Sequence, residues 1–121
     1  MVIRLKETMI DSIEDTETRR LKLIKISSKN EGAFLTIELP EVLCGSISEG
    51  DTVSIVIDSK EIVKGNESKL YLEGNVFKKS EKEGLEVTGS IGGLRIVVNL
   101  AKTTPSQASS FDSDKFFLAI N

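Results

Sequence analysis

Apolar residues in this chain recur at every second position, in short runs separated by turn residues. The run 33–40 is typical, because its odd-numbered positions are apolar and Pro40 ends it. Alternation with period two places the apolar side chains on one face of a strand. A chain built from such runs is predicted to be all-β.

The alternation predicts seven to eight strands and no long amphipathic helix. No internal repeat and no interdomain linker are visible, so the strands must bury one face against one another. A closed antiparallel barrel does this and removes exposed strand edges, with a β-sandwich as the alternative. We therefore predict a single domain over residues 1–121. The predicted strands cover 3–13, 21–27, 33–40, 52–58, 70–79, 85–91, 94–100 and 116–120.

The first predicted strand contains one irregularity. Ile10 breaks the parity of its apolar residues, which predicts a bulge or bend late in the strand. Residues 11–17 are rich in carboxylates and predict an acidic loop. The residues predicted to share the inner face are Ile3, Leu5, Met9 and Ile13.

The second predicted strand changes face within a few residues. Leu21 and Leu23 have one parity, whereas Ile24 and Ile26 have the other. Such a change predicts a bulge that lets one strand serve two parts of a barrel. In the fifth strand, Gly74 predicts a bend.

The clearest hairpin lies at Gly92-Gly93, between two alternating apolar runs. Two glycines supply the positive φ angles that tight hairpin turns require. The glycine-rich stretch 89–93 also resembles a phosphate cradle, but a strand follows it and no helix N-terminus is available to hold an anion. We predict that Gly92 and Gly93 form a structural turn.

Few residues in this sequence could carry out chemistry. The chain has one cysteine and no histidine, which excludes an internal disulfide, His-based triads and zinc sites. Cys44 has apolar neighbours and is predicted to be a small buried hydrophobe, not a nucleophile. The paired carboxylates lie in polar segments without predicted desolvation. We predict no catalytic residue, no metal ligand and no cofactor.

Charge and hydropathy limit the partners and the location of the protein. The net charge is −3, from 19 acidic and 16 basic residues, so the chain has no basic excess to bind phosphates. No run of about 18 apolar residues is present, and the first residues lack the pattern of a signal peptide. We expect a cytoplasmic protein without direct membrane contact.

Several aromatic residues are predicted to face outward. Parity places Tyr71 and Phe77 there and, with less support, Phe34 and Phe117. On a barrel that is not basic, exposed aromatics favour a protein interface over a platform for stacking bases. A second buried layer outside the barrel remains the other alternative.

The C-terminal half resembles a known family. The segments 70–74, 76–78, 85–87, 90–94 and 115–120 match, in order and spacing, the eighth subunit of eukaryotic nuclear RNA polymerases and its archaeal counterpart. The resemblance covers residue 69 to the end, with weaker support from 51–60. Ile91 stands where the family has an aromatic residue, and Arg95-Ile-Val97 replaces a Leu-Met-Arg run. The short loop at 59–69 is more similar to the archaeal form.

The resemblance implies an oligonucleotide-binding (OB) type barrel that docks on the largest polymerase subunit, away from the catalytic magnesium, and catalyses nothing itself. We therefore expect a non-catalytic accessory subunit of a multisubunit DNA-directed RNA polymerase, which acts in transcription and stabilises the largest subunit. The predicted partner-binding residues are Tyr71, Phe77, Arg95 and Val97. The alternative is a stand-alone OB-fold protein that binds single strands through Tyr71 and Phe77, with Lys78 and Lys79 supplying positive charge.

Overall fold

The alternating runs form β-strands in the computed structural model, which describes residues 2–28, 32–62, 68–81, 84–101, 111 and 114–121. Within these residues there are eight strands and one short 3₁₀ helix, Glu41–Ser46, which the alternation did not predict. Among the described residues, no helix has the length and apolarity needed to cross a bilayer. The strands are β1 Val2–Asp15, β2 Leu21–Ser28, β3 Ala33–Pro40, β4 Thr52–Asp58, β5 Leu70–Ser80, β6 Leu85–Ile91, β7 Leu94–Leu100 and β8 Lys115–Ile120.

The strands close into a single antiparallel barrel in the order β1-β2-β3-β7-β6-β5-β8-β4. Every neighbouring pair is antiparallel, including β1 with β4, which closes the circle. Closure removes the strand edges that an open sheet would expose. The prediction of an all-β antiparallel barrel is confirmed, and the architecture is consistent with the OB type.

The barrel consists of two halves with the same arrangement of strands. In the first half, the long strand β1 pairs with β4 along its first residues and with β2 along its last residues. In the second half, the long strand β5 pairs in the same way with β8 and then with β6. Each long strand has a bulge where it pairs with β2 or β6, and the extra residues are Asp11 and Phe77. The β3–β7 and β4–β8 pairs join the halves. The structure thus contains a repeat that is not visible in the sequence.

The predicted irregularity of β1 is present, but its position changes the inner face. The register shifts between Leu5 and Thr8 against β4, and again between Ile10 and Ser12 against β2. The first shift reverses the parity, so Ile10 is buried and Met9 is 48% exposed. The prediction that Met9 faces inward is therefore wrong.

The acidic loop predicted at 11–17 is shorter than expected, because β1 continues to Asp15. Its carboxylates are accommodated in the strand by lysines of β2: Asp15 forms an ion pair with Lys22, and Glu14 lies 3.1 Å from the Lys25 ammonium. Opposite charges on neighbouring strands favour pairing. The prediction of a loop is therefore wrong for residues 11–15, which belong to β1.

The bulge predicted in β2 is absent. The strand pairs with β3 without interruption from Leu21 to Ser28. Ile24 and Ile26 are buried in the barrel, whereas Leu21 and Leu23 are half-buried on its outer side. The two parities therefore reflect apolar residues on both faces of a regular strand.

Phe116 of β8 occupies the space that two glycines leave in the barrel. Its side chain is 1% exposed. A Cβ atom added to Gly74 would lie 2.5 Å from the Phe116 Cζ, and one on Gly89 would lie 3.0 Å from its Cε1. β5 continues through Gly74 without interruption, and the glycine provides room for the ring.

The β6–β7 hairpin turns at Gly92 and Gly93, whose φ angles are 58° and 88°. We expect Gly93→Val to lower the free energy of unfolding by about 1–2 kcal/mol, because a Cβ is strained at positive φ. No atom lies within 4 Å of that Cβ position, so the effect comes from the backbone alone. Urea denaturation measures it. Gly45→Val is the control, because Gly45 has open space and lacks a positive φ. Equal stability of the two variants would contradict the turn assignment.

Candidate protein-interaction site

Phe77 is an exposed aromatic residue that lies at a backbone irregularity. Val76 pairs with Gly89 and Lys78 pairs with Thr88, so Phe77 is the extra residue of a β-bulge in β5. Bulges redirect side chains, and here the phenyl ring is 76% exposed. Val76 stays half-buried against the core. The bulge thus presents an aromatic side chain to solvent without disturbing the packing beneath it.

Arg95 and Val97 lie on the outer side of β7 and line a shallow groove of about 390 Å³. The groove exists because β3 separates β2 from β7 and pairs with both. Thr36 of β3 is opposite Val97. We name this surface the β3–β7 groove; its lining residues are Leu23, Thr36, Glu38, Arg95 and Val97.

The side chain of Arg95 in this groove has no carboxylate partner among the described residues. The backbone N–H of Arg95 donates to the Glu38 Oε1 at 3.0 Å. In the described part of the chain, no carboxylate oxygen lies within 4.0 Å of the Arg95 guanidinium. Lys25 of β2, opposite Thr36 of β3, is already paired with Glu14. The pKa of Glu14 is lowered, first by the hydrogen bond from Ser12 and then by Lys25.

Phe77 is close to this groove, whereas Tyr71 is not. β5 and β7 are both neighbours of β6, so Phe77 lies two strands from Val97, about 10 Å at the usual strand spacing. Tyr71 lies near the other end of β5, opposite Ala119 of β8. The structure therefore groups three of the four predicted partner-binding residues and separates the fourth.

Tyr71 belongs to an outer packing layer. Its ring stacks on Phe117, with centroids 6.2 Å apart and planes 22° apart. Its hydroxyl oxygen accepts the backbone N–H of Ile62 at 3.0 Å. Both rings are half-buried, and Ala119, on the same side of β8 as Phe117, is 1% exposed. For this pair, the alternative of a second buried layer fits better than a free interface.

The sequence did not indicate three groove residues, namely Leu23, Thr36 and Glu38. Their outward parity was readable, but their position beside Arg95 depends on the pairing of β3 with β7, which is distant in sequence. Phe34, 41% exposed, lies two residues before Thr36 on the same strand. The sequence signal for this surface is the apolar character of Leu23 and Val97, which have outward parity on β2 and β7.

The described residues contain no cluster of three or more Cys, Asp or Glu side chains that could hold a metal ion. Cys44 lies in the 3₁₀ helix and is half-buried, not fully buried as expected. Its thiol donates to the Pro40 carbonyl at 3.6 Å. Burial raises the pKa of the thiol, Glu41 raises it further, and Lys22 only partly offsets this.

We expect the Cys44 thiol to react slowly with iodoacetamide at pH 8. A raised pKa leaves a smaller fraction of the reactive thiolate at this pH, and partial burial restricts access. Alkylation followed by mass spectrometry should therefore give a second-order rate constant below that of glutathione. A rate equal to or above that of glutathione would show that Cys44 is an activated nucleophile.

No protein-family model and no curated protein matches this chain.

Proposed function

We propose that this chain is a non-catalytic accessory subunit of a multisubunit DNA-directed RNA polymerase. In this proposal it docks on the largest subunit and stabilises a folded region of it by surface complementarity. Phe77 and the β3–β7 groove supply the contact surface. The observation that carries the proposal is the exposure of Phe77, the one residue of this surface that lies within the resembling segments.

The resembling segments fall on one contiguous part of the barrel. They belong to β5, β6, the start of β7, and β8, which are neighbours in the order β7-β6-β5-β8. The weaker similarity at 51–60 falls on β4, which pairs with β8.

The composition of the surface supports a protein partner. Interface cores are enriched in aromatic residues and arginine and depleted of other charges. Phe77 and Arg95 are exposed within about two strands of each other, and Val97 and Leu23 add apolar area between the charged side chains. Burial of such side chains stabilises an interface without neutralising phosphates.

Affinity capture from the native host tests the proposal. A tagged copy should bring down the largest polymerase subunit in stoichiometric amount. Phe77→Ser should reduce the recovered amount about tenfold, the effect of a hot-spot aromatic. Val42→Ser is the matched control, because Val42 is 84% exposed and is not among the lining residues of the groove.

Two results would contradict the proposal. One is recovery of only nucleic acid or metabolic enzymes with the wild-type chain. The other is equal loss of the polymerase with Phe77→Ser and Val42→Ser, which would show that Phe77 has no special part in docking. Circular dichroism of both variants checks that each is folded.

A second candidate function is binding of single-stranded nucleic acid. It is favoured by the exposure of Phe77 beside Lys78, which has no carboxylate partner among the described residues. A stacking ring beside a cation is the usual element of single-strand platforms. Fluorescence anisotropy with a labelled single strand decides the matter, because binding should be present at low salt and weaken steeply as salt rises. No binding at low salt removes this candidate.

A further inference from the structure

Two lining residues of the β3–β7 groove are apolar where strand alternation would place polar side chains. Leu23 and Val97 both point away from the barrel interior and remain half-buried. The outer face of a barrel strand in contact with water is usually polar. Phe34, 41% exposed, continues this apolar character along β3. Leu23, Val97 and Phe34 therefore offer an apolar contact surface on the outside of the barrel.

Charge at the groove distinguishes between possible partners. The Arg95 guanidinium is exposed and has no carboxylate within 4.0 Å in the described residues. Lys25 is already compensated by Glu14. Glu38 is the one carboxylate among the lining residues, and its Oε1 already accepts the Arg95 backbone N–H. The guanidinium is therefore the group with the most unused hydrogen-bonding capacity, and it binds carboxylates in a bidentate manner.

We infer that the β3–β7 groove binds a segment of its partner that carries an apolar side chain and a carboxylate one or two residues away. The apolar side chain packs on Leu23 and Val97, and the carboxylate pairs with Arg95. Thr36, between these residues on the floor, offers a hydroxyl to the segment's backbone. This inference rests on the proposed function, since it specifies the chemistry of the same docking surface.

Two short peptides test the inference without the polymerase. The first is acetyl-Asp-Leu-Phe-Asp-amide, and the second has lysine in place of both aspartates. In NMR titrations at millimolar peptide, the acidic peptide should shift the methyl signals of Leu23 and Val97 and the side-chain Nε–H of Arg95. The lysine peptide should not. Equal or larger shifts with the lysine peptide would show that Glu38 is the recognised charge, and no shifts with either would show that the groove is not a peptide site; both overturn the inference.

Variants locate the effect within the groove. Arg95→Glu should weaken binding of the acidic peptide about tenfold, because it replaces an attractive charge by a repulsive one. Arg95→Lys should retain most of the affinity, and Val42→Ser should change nothing. An Arg95→Glu variant that binds like the wild type overturns the inference. If affinity capture fails but the acidic peptide binds, the polymerase assignment falls and the groove chemistry stands. If capture succeeds and the peptide does not bind, the groove chemistry alone falls.

Discussion

Replacing Phe116 with alanine is expected to lower the free energy of unfolding by about 3–5 kcal/mol. The ring is 1% exposed, and its edge contacts Phe111, with centroids 5.9 Å apart. It also fills the space over Gly74 and Gly89, so its removal leaves a cavity that no side chain of these two residues can fill. Because domains of this size are stable by only about 5–15 kcal/mol, the loss is a large share of the total.

Urea denaturation of Phe116→Ala and Phe117→Ala measures this effect with a matched control. Phe117 is the next residue on β8, but it faces outward, is half-buried and packs on Tyr71. Replacing Phe117 with alanine should lower the free energy of unfolding by clearly less, about 1–2 kcal/mol, because this side chain buries less area. If both variants lose the same stability, Phe116 is not the centre of packing that its burial indicates.

Gly74→Val is expected to destabilise the barrel by about 3 kcal/mol or more, at the upper end of the cost of overpacking. The new Cβ would lie 2.5 Å from the Phe116 Cζ and 2.8 Å from the Ser90 carbonyl oxygen. The ring can shift only into a packed core, and the carbonyl belongs to the β6 backbone. Thermal denaturation should show a lower Tm than for Gly45→Val, where the added side chain has open space.

A double-mutant cycle separates steric conflict with Phe116 from a general effect on the strand. In the Phe116→Ala background, Gly74→Ala should cost less than it does in the wild type, with a coupling energy of about 0.5–3 kcal/mol for residues in contact. Additive losses would mean that the glycine is required by the backbone and not by the ring.

The barrel was largely predictable because each strand buries one face. The bounds of β3, β4, β6 and β7 agree with the alternation, since these strands keep one parity from end to end. The errors fall on β1 and β2. The bulges in β1 depend on its pairing partners, which change from β4 to β2 along the strand. In β2, the half-buried leucines on the outer side resembled a second inner face. The pattern of a single strand shows neither which strands it pairs with nor which residues pack on its outer side.

The candidate site was predictable only in part, for a similar reason. Outward parity indicated Phe77, Arg95 and Val97. It did not indicate the groove, in which Arg95 and Val97 of β7 lie with Leu23 of β2 on either side of β3. Tyr71 also had outward parity, and only the contacts with Phe117 and Ile62 show that it is engaged within the chain. Parity predicts which side of a strand a residue faces, whereas tertiary contacts decide whether that side is free.

The most direct test of the proposed function is the composition of the polymerase itself. RNA polymerase purified from the native host through a tag on a different subunit should contain this chain, and quantitative mass spectrometry should find one copy per largest subunit, retained after washing in high salt. Absence of the chain, or a trace amount that high salt removes, would contradict its assignment as a polymerase subunit.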